Sequence, residues 1–214
     1  MIADASSFVQ SFNNTFLFIV AVCVFFLALI TILMITFVVK YNKKKNKKAV
    51  NIHGSVPLEI IWTVIPTILV IIMFYFGWEG YVQLSNPPAN SMVVKVTAQM
   101  WSWKFEYANG VKSDTLYVPL NQPVKVLLHS NDVEHSFYVP AFKFKKDVVP
   151  NHDNIAWFLP EKLGSFDVFC SMYCGLRHSY MYSAVVVLPK KDFYSWLSGR
   201  EESQKDVDST GSNL

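Results

Sequence analysis

A chain of 214 residues that is 52% apolar and only 16% charged is too greasy for an ordinary soluble domain. Its formal charge of +3 lies wholly before residue 82, where six lysines face three acids, and thirteen charges of each sign follow. That distribution gives nucleic-acid binding no support and points the first part of the chain at a membrane.

From Phe16 to Val39 no residue is charged. As a helix this stretch would rise about 36 Å, more than the ~30 Å hydrocarbon core, which predicts a span over 16–39. A cleaved signal peptide is the competing reading, but Met1-Ile2-Ala3-Asp4 carries no basic residue and no small-residue cleavage site follows. Val22 is also too large for a lipoprotein site at Cys23, so an uncleaved anchor is favoured and Cys23 reads as a small buried hydrophobe. Six lysines then crowd into Lys40–Lys48. A short basic loop between two spans places itself on the cytoplasmic or matrix side and both termini opposite. Ile60 to Trp78 is a second uncharged run, predicting a span over about 60–80 that Pro66 should bend. Glu59 at its entry is either an interfacial carboxylate in water or an ionisable group marking a proton path. The anchor therefore takes residues 1–85, and Asn86-Pro87-Pro88-Ala89-Asn90 is linker chemistry.

Beyond the linker the periodicity changes. Val93–Ala98, Val124–Leu128, Ile155–Leu159, Phe166–Phe169 and Ala184–Leu188 are short, rich in β-branched or aromatic residues and mostly bounded by turn formers. Such strands across 91–190 predict an all-β sandwich. Trp101 to Tyr107 packs four aromatics into seven residues, and alternation turns one face of them to the core. Trp101, at the end of that run, is either core or shows its ring edge to water or a partner. His135 opens Ser136-Phe137-Tyr138-Val139, an alternating strand-like run, while Lys143–Asp147 reads as a solvated loop and His129 and His152 as structural or surface residues. The last part, 191–214, predicts a short amphipathic helix through Trp196 and Leu197 and a disordered polar tail from Glu201. No Cys-x-x-Cys-His haem-attachment motif occurs.

The densest chemistry lies in Cys170-Ser171-Met172-Tyr173-Cys174-Gly175-Leu176-Arg177-His178-Ser179-Tyr180-Met181. Two thiols, an imidazole and a thioether gather there, and soft sulfur donors select copper over hard cations. A single Cys would suggest a mononuclear blue-copper loop. Two thiolates can instead each bridge a pair of copper ions, every ion then needing one imidazole and one weak outer ligand. His178 and Met181 supply half of that terminal set, and His135 is the upstream candidate for the other imidazole. A Cys170–Cys174 disulfide leaves the positions of His178, Met181 and His135 as coincidence, and a zinc site has no use for Met181. Both remain as the alternative, a membrane-anchored β-sandwich binding protein with a zinc or disulfide loop.

Asp132-Val133-Glu134-His135-Ser136 followed by this loop resembles subunit II of the haem-copper cytochrome c oxidases, whose pattern is Asp-x-x-His-Ser and then Cys-Ser-Glu-x-Cys-Gly-x-x-His-Ser-x-Met. The resemblance runs almost from end to end. It implies a transmembrane helical hairpin followed by a cupredoxin-like Greek-key barrel. It also implies a dinuclear copper centre, CuA, held by His135, Cys170, the Met172 backbone carbonyl, Cys174, His178 and Met181. By the same resemblance Trp101 is the point of electron entry, Glu106 lies near the donor-docking surface and Glu59 at a proton-channel mouth. Asp147 would face subunit I. The implied partners are oxidase subunit I, further oxidase subunits, the membrane, and cytochrome c or another small donor. The implied role is to pass electrons to a haem in subunit I for reduction of O2 to water. The setting would be a bacterial plasma membrane or a mitochondrial inner membrane, with the copper domain on the outer side. One position departs from the pattern: Met172 stands where the family has a Glu whose carboxylate binds magnesium. A thioether is a poor magnesium ligand, so that expectation is weakened while the copper one is untouched. A quinol oxidase would lack the copper ligands, and a nitrous oxide reductase would leave the two spans unexplained.

Overall fold

The computed structural model describes residues 5–48, 51 and 53–211, with side chains described as far as 204. It divides into two compact units, one of residues 12–80 and the other of residues up to 11 together with 81 onward.

The first unit is built on helices α1 (Phe8–Lys40) and α2 (Val56–Ser85). Both run past the expected spans, because hydropathy marks where a helix is apolar while uncharged polar residues such as Gln10, Asn13 and Asn14 continue it. Pro66 removes a hydrogen bond from α2, and the helix carries on through it. Val9 is the one described residue of α1 that is buried, and α2 buries none. Cys23 is accordingly exposed, not buried as its apolar neighbours suggested. Two helices whose apolar side chains face outward on nearly every side match a lipid or protein surrounding rather than a water-facing hairpin.

The second unit is a sandwich of two five-stranded sheets. Its strands are β1 (Met92–Gln99), β2 (Ser102–Tyr107), β3 (Lys112–Ser113), β4 (Leu116–Pro119), β5 (Val124–Ser130), β6 (His135–Val139), β7 (Phe144–Val148), β8 (Asn154–Phe158), β9 (Gly164–Cys170) and β10 (Tyr182–Leu188). One sheet has the order β3-β2-β1-β5-β8, the other β4-β10-β9-β6-β7. The pairs β1·β5 and β4·β10 are parallel and the rest antiparallel, consistent with the cupredoxin-like Greek key. Alternation drives the core: Val94, Val96 and Ala98 of β1 point inward against Val124, Val126 and Leu128 of β5, with Trp103, Phe105, Phe137 and Phe158 filling the space between sheets. Each such aliphatic or aromatic side chain contributes about 1.5–3 kcal/mol on burial.

Two sequence expectations are corrected. Lys143–Asp147 lies largely in β7, paired with β6, because Phe144 and Val148 anchor the two ends of a strand whose middle is charged. The polar stretch from Glu201 belongs to helix α3 (Lys190–Gly211), docked through buried Phe193 and through Trp196, whose ring packs tilted against Tyr117 with centroids 4.3 Å apart. Its far part is held by Asn109 donating to Glu201 (3.0 Å) and Gln204 donating to the Lys112 carbonyl (3.3 Å). The last three residues of the expected tail lie outside the described residues.

Strand β8 also secures the chain where it enters the sandwich. The Trp157 and Phe8 rings meet nearly perpendicular with centroids 4.7 Å apart, and the Trp157 Nε1–H donates to the Gln83 carbonyl at 3.0 Å. The Glu161 N–H donates to the Ala5 carbonyl at 3.0 Å.

Candidate metal centre

Two neighbouring strands set the frame of the site. His135 opens β6, Cys170 ends β9, and the strands pair through Phe137 and Cys170. The loop after Cys170 is closed at its base by the Cys170 N–H donating to the Met181 carbonyl (3.1 Å) and the Ser171 N–H to the Ser136 carbonyl (3.0 Å). A 3-10 turn over His178–Tyr180, begun by the His178 N–H donating to Gly175, returns the chain to β10.

These constraints gather the predicted ligands. The Sγ atoms of Cys170 and Cys174 are 3.8 Å apart. His135 Nδ1 lies 3.8 Å from Cys170 Sγ, and His178 Nδ1 lies 3.5 Å from Cys174 Sγ, so each thiol has an imidazole nitrogen of its own. Met181 Sδ is 3.8 Å from Cys174 Sγ, and the Met172 carbonyl is 3.2 Å from Cys170 Sγ. Among the described residues, His135, Cys170 and Cys174 form a buried group with ligand atoms within 4.8 Å of one another. A disulfide would bring the sulfurs to about 2.05 Å; here both thiols are free.

The electrostatics of the cluster suit a cation. Burial pushes the Cys170 thiol up, but hydrogen bonds with His135, the Ser136 and Met172 backbones and Cys174 outweigh it and bring the pKa below the usual thiol range. Burial pushes the Cys174 thiol up, and a charge on Cys170 raises it further. One proton therefore leaves easily and the second is held unless positive charge comes between the sulfurs, which is the setting in which metal binding releases protons. Soft sulfur and imidazole donors, with a thioether at the margin, fit copper; a tetrahedral zinc site would use the two Cys and two His and leave Met181 idle.

Asp132 organises the neighbourhood. Its Oδ1 accepts from His135 Nε2–H at 2.8 Å and from the Val133 N–H at 2.7 Å, and its Oδ2 accepts from the Met100 N–H at 2.7 Å. Burial opposes the charge on this carboxylate, yet these donors hold its pKa below the usual value. Protonating Nε2 leaves Nδ1 of His135 as a lone pair aimed at the sulfurs. Sequence reasoning quoted Asp132 only as part of a motif; the Asp-x-x-His spacing was the available signal.

Trp101 is partly buried, and its Nε1–H donates to the Cys174 carbonyl at 3.2 Å. Its ring lies against Gly175, where φ is +113° and an added Cβ would stand 3.4 Å from Cζ2, so glycine serves both the turn and the close approach. Around the loop Tyr173, Leu176, Tyr180 and Tyr182 are exposed. The other candidates lie elsewhere. Glu106 sits on β2 with Lys112 Nζ at 3.9 Å, and Glu59 occupies the first turn of α2 in the helical unit. Asp147 lies on β7 opposite Ser136 with a buried Oδ1 that has no hydrogen-bond partner. His129 pairs with Asp153 at 2.7 Å and His152 is exposed, in keeping with surface roles.

Two apolar helices joined to a β-sandwich that carries two thiols, two imidazoles and a thioether define a class: a membrane-anchored cupredoxin-like subunit with a soft-donor metal site. Residues 3–78 match the transmembrane domain of cytochrome C oxidase subunit II, and residues 111–188 match its periplasmic domain. The chain belongs to the cytochrome c oxidase subunit II family. It is 30% identical over 207 residues to cytochrome c oxidase subunit 2 of Alkalihalophilus pseudofirmus, covering 91% of this chain and 60% of that protein. It is 30% identical to the alternative cytochrome c oxidase subunit 2 of Bradyrhizobium diazoefficiens, covering 75% of this chain and 69% of the relative. The crystal structure of the periplasmic domain of subunit II (CoxB) of Bradyrhizobium japonicum superposes with a TM-score of 0.53 at 28% identity, covering 55% of this chain and 99% of that one. A further structure shows a mixed disulfide intermediate between a thioredoxin-like protein and subunit II (TM-score 0.50, 27% identity, 55% and 96% covered).

Proposed function

We propose that this chain is the electron-entry subunit of a respiratory haem-copper oxidase, with residues 1–85 as anchor, 91–190 as the CuA domain and 191–214 as terminal helix and tail. The observation that carries the reading is the pair of thiols 3.8 Å apart, each with an imidazole Nδ1 within 3.8 Å and Met181 at the margin. A copper pair bound there would supply a one-electron redox centre. His135, Cys170, the Met172 carbonyl, Cys174, His178 and Met181 would hold it.

The chain's own residues do the rest. Asp132 fixes the His135 tautomer and so the direction of its ligand atom. The strands hold His135 and Cys170 in place before any ligand arrives, and a preorganised site needs little rearrangement. Trp101, which donates a hydrogen bond to the Cys174 carbonyl, is assigned on the resemblance as the entry point for an electron from cytochrome c or another small donor. The acceptor is a haem in the partner subunit I, where O2 is reduced to water; further oxidase subunits complete the complex. Glu106 is assigned to donor docking and Glu59 to proton entry on the resemblance. Met172 offers no carboxylate, so this chain contributes no hard side-chain ligand for magnesium from that position. The polybasic loop sets the orientation, with the sandwich on the outer side of a plasma or inner mitochondrial membrane.

Electron paramagnetic resonance with a copper count on the full chain in detergent tests the reading. Two coppers per chain sharing one unpaired electron equally is the expected result. A single-copper signal, or stoichiometric zinc with no copper signal, refutes it.

A further inference from the structure

The basic turn between the two membrane helices serves the electron-entry reading only as a mark of orientation. Lys40 closes α1, and Lys43, Lys44, Lys45, Lys47 and Lys48 follow within eight residues. No Asp or Glu occurs between Asp4 and Glu59. All six lysines are exposed, and none forms an ion pair with a described residue.

The turn is wound up. The Tyr41 N–H donates to the Phe37 carbonyl at 2.8 Å, extending the helical pattern one step beyond Lys40. The Lys45 and Asn46 N–H groups donate to the Asn42 carbonyl at 2.9 and 3.0 Å, and the Lys44 N–H donates to Asn42 Oδ1 at 2.9 Å. Asn46 Nδ2 reaches back to the Lys40 carbonyl at 2.6 Å. An extended chain would let Lys48 trail up to about 26 Å from the helix end. The asparagine bonds instead keep residues 42–46 folded against that end. The charges therefore stay close to where α1 leaves the hydrocarbon, in the zone where a screening length of ~8 Å still lets them feel headgroup charge.

We propose that Lys40 and Lys43, Lys44, Lys45, Lys47 and Lys48 form a binding site for anionic phospholipid headgroups at the membrane face on which the loop lies. A loop joining two spans is confined to that face whichever side it is. Among the described residues no acid pairs with the lysines to neutralise them. Flexible ammonium groups suit phosphates that present no fixed geometry, and juxtamembrane lysines add their attractions to an anionic surface. The inference depends on the membrane anchor and stands apart from the copper reading.

The test is the full chain reconstituted in vesicles of phosphatidylcholine and phosphatidylglycerol, with spin-labelled versions of each lipid reporting the shell around the protein. The expected result is enrichment of phosphatidylglycerol over phosphatidylcholine by about fivefold or more, falling as salt rises. It should drop stepwise in Lys44→Gln/Lys45→Gln and again when Lys47→Gln/Lys48→Gln are added, and persist when the same positions become Arg. Because these lysines also direct insertion, the salt titration of the unaltered chain and the Arg series provide readings that need no loss of charge. Enrichment that ignores salt, or that the Gln series leaves unchanged, overturns the proposal. An acidic partner surface as occupant would show the same null lipid result and overturn it as well.

Discussion

The two halves of the candidate metal centre are built differently. His135 is fully buried at the start of a strand, its Nε2 tied to Asp132, and Cys170 ends the neighbouring strand, so this half belongs to the core of the sandwich. Cys174 and His178 come from a loop. Their positions depend on the Gly175 turn, on the Trp101 bond to the Cys174 carbonyl and on Met181 closing the loop. The rim of that loop half is exposed tyrosine and leucine. The core half gives the site rigidity at a cost in stability if disturbed; the loop half gives it access to a partner and a short connection to the surface.

Removing the hub that joins the halves gives the largest expected effect. Cys174 Sγ touches Cys170, His178 and Met181, so Cys174→Ser should abolish the shared-copper signal and lower the copper count from two per chain. Retention of an equally shared spectrum would break the site assignment. Next, the two imidazoles should separate cleanly. His135→Ala leaves a buried cavity and takes one of three donors from Asp132, costing about 2–4 kcal/mol in unfolding of the metal-free chain. His178→Ala, on the half-exposed loop, should cost under about 1 kcal/mol while also lowering copper content. Denaturant unfolding alongside metal analysis reads both; equal destabilisation would erase the distinction between halves. Trp101→Phe loses one hydrogen bond to the loop but no ligand, so copper should stay at the wild-type count while electron entry slows by about 10–100-fold in a stopped-flow measurement. A fall in copper content of the same size would make Trp101 a loop support and not an entry point.

The loop half was the legible one. Cys174, His178 and Met181 lie within the twelve residues that Cys170 opens, and no other common reading needs that spacing. The membrane helices were legible for the same reason, since a run without charge is a local property. What the sequence hid is what depends on distant partners. Asp132 lies three residues from His135, but its second oxygen serves the Met100 N–H thirty-two residues away, a contact only the folded sandwich creates. Strand β7 escaped because three charged positions lie between its two buried ends, so its pattern is set by pairing with β6 and not by its own hydropathy. The polar end of α3 looked unstructured because its support comes from Asn109 and Lys112, each ninety-two residues earlier.

The smallest expected effect tests how Met172 takes part. The structure turns the Met172 carbonyl toward Cys170 Sγ at 3.2 Å, and that oxygen belongs to the backbone whatever side chain follows. Met172→Glu should therefore leave the copper count and spectrum unchanged and shift unfolding by no more than about 0.5 kcal/mol, the usual range for a partly exposed substitution. What it adds is a hard oxygen donor beside the soft one, at the position where the resembling family places its carboxylate. A changed copper spectrum in this variant would mean that the thioether itself touches the metal, giving the core half a sulfur ligand beyond Cys170 and removing much of the contrast between a strand-borne half and a loop-borne one.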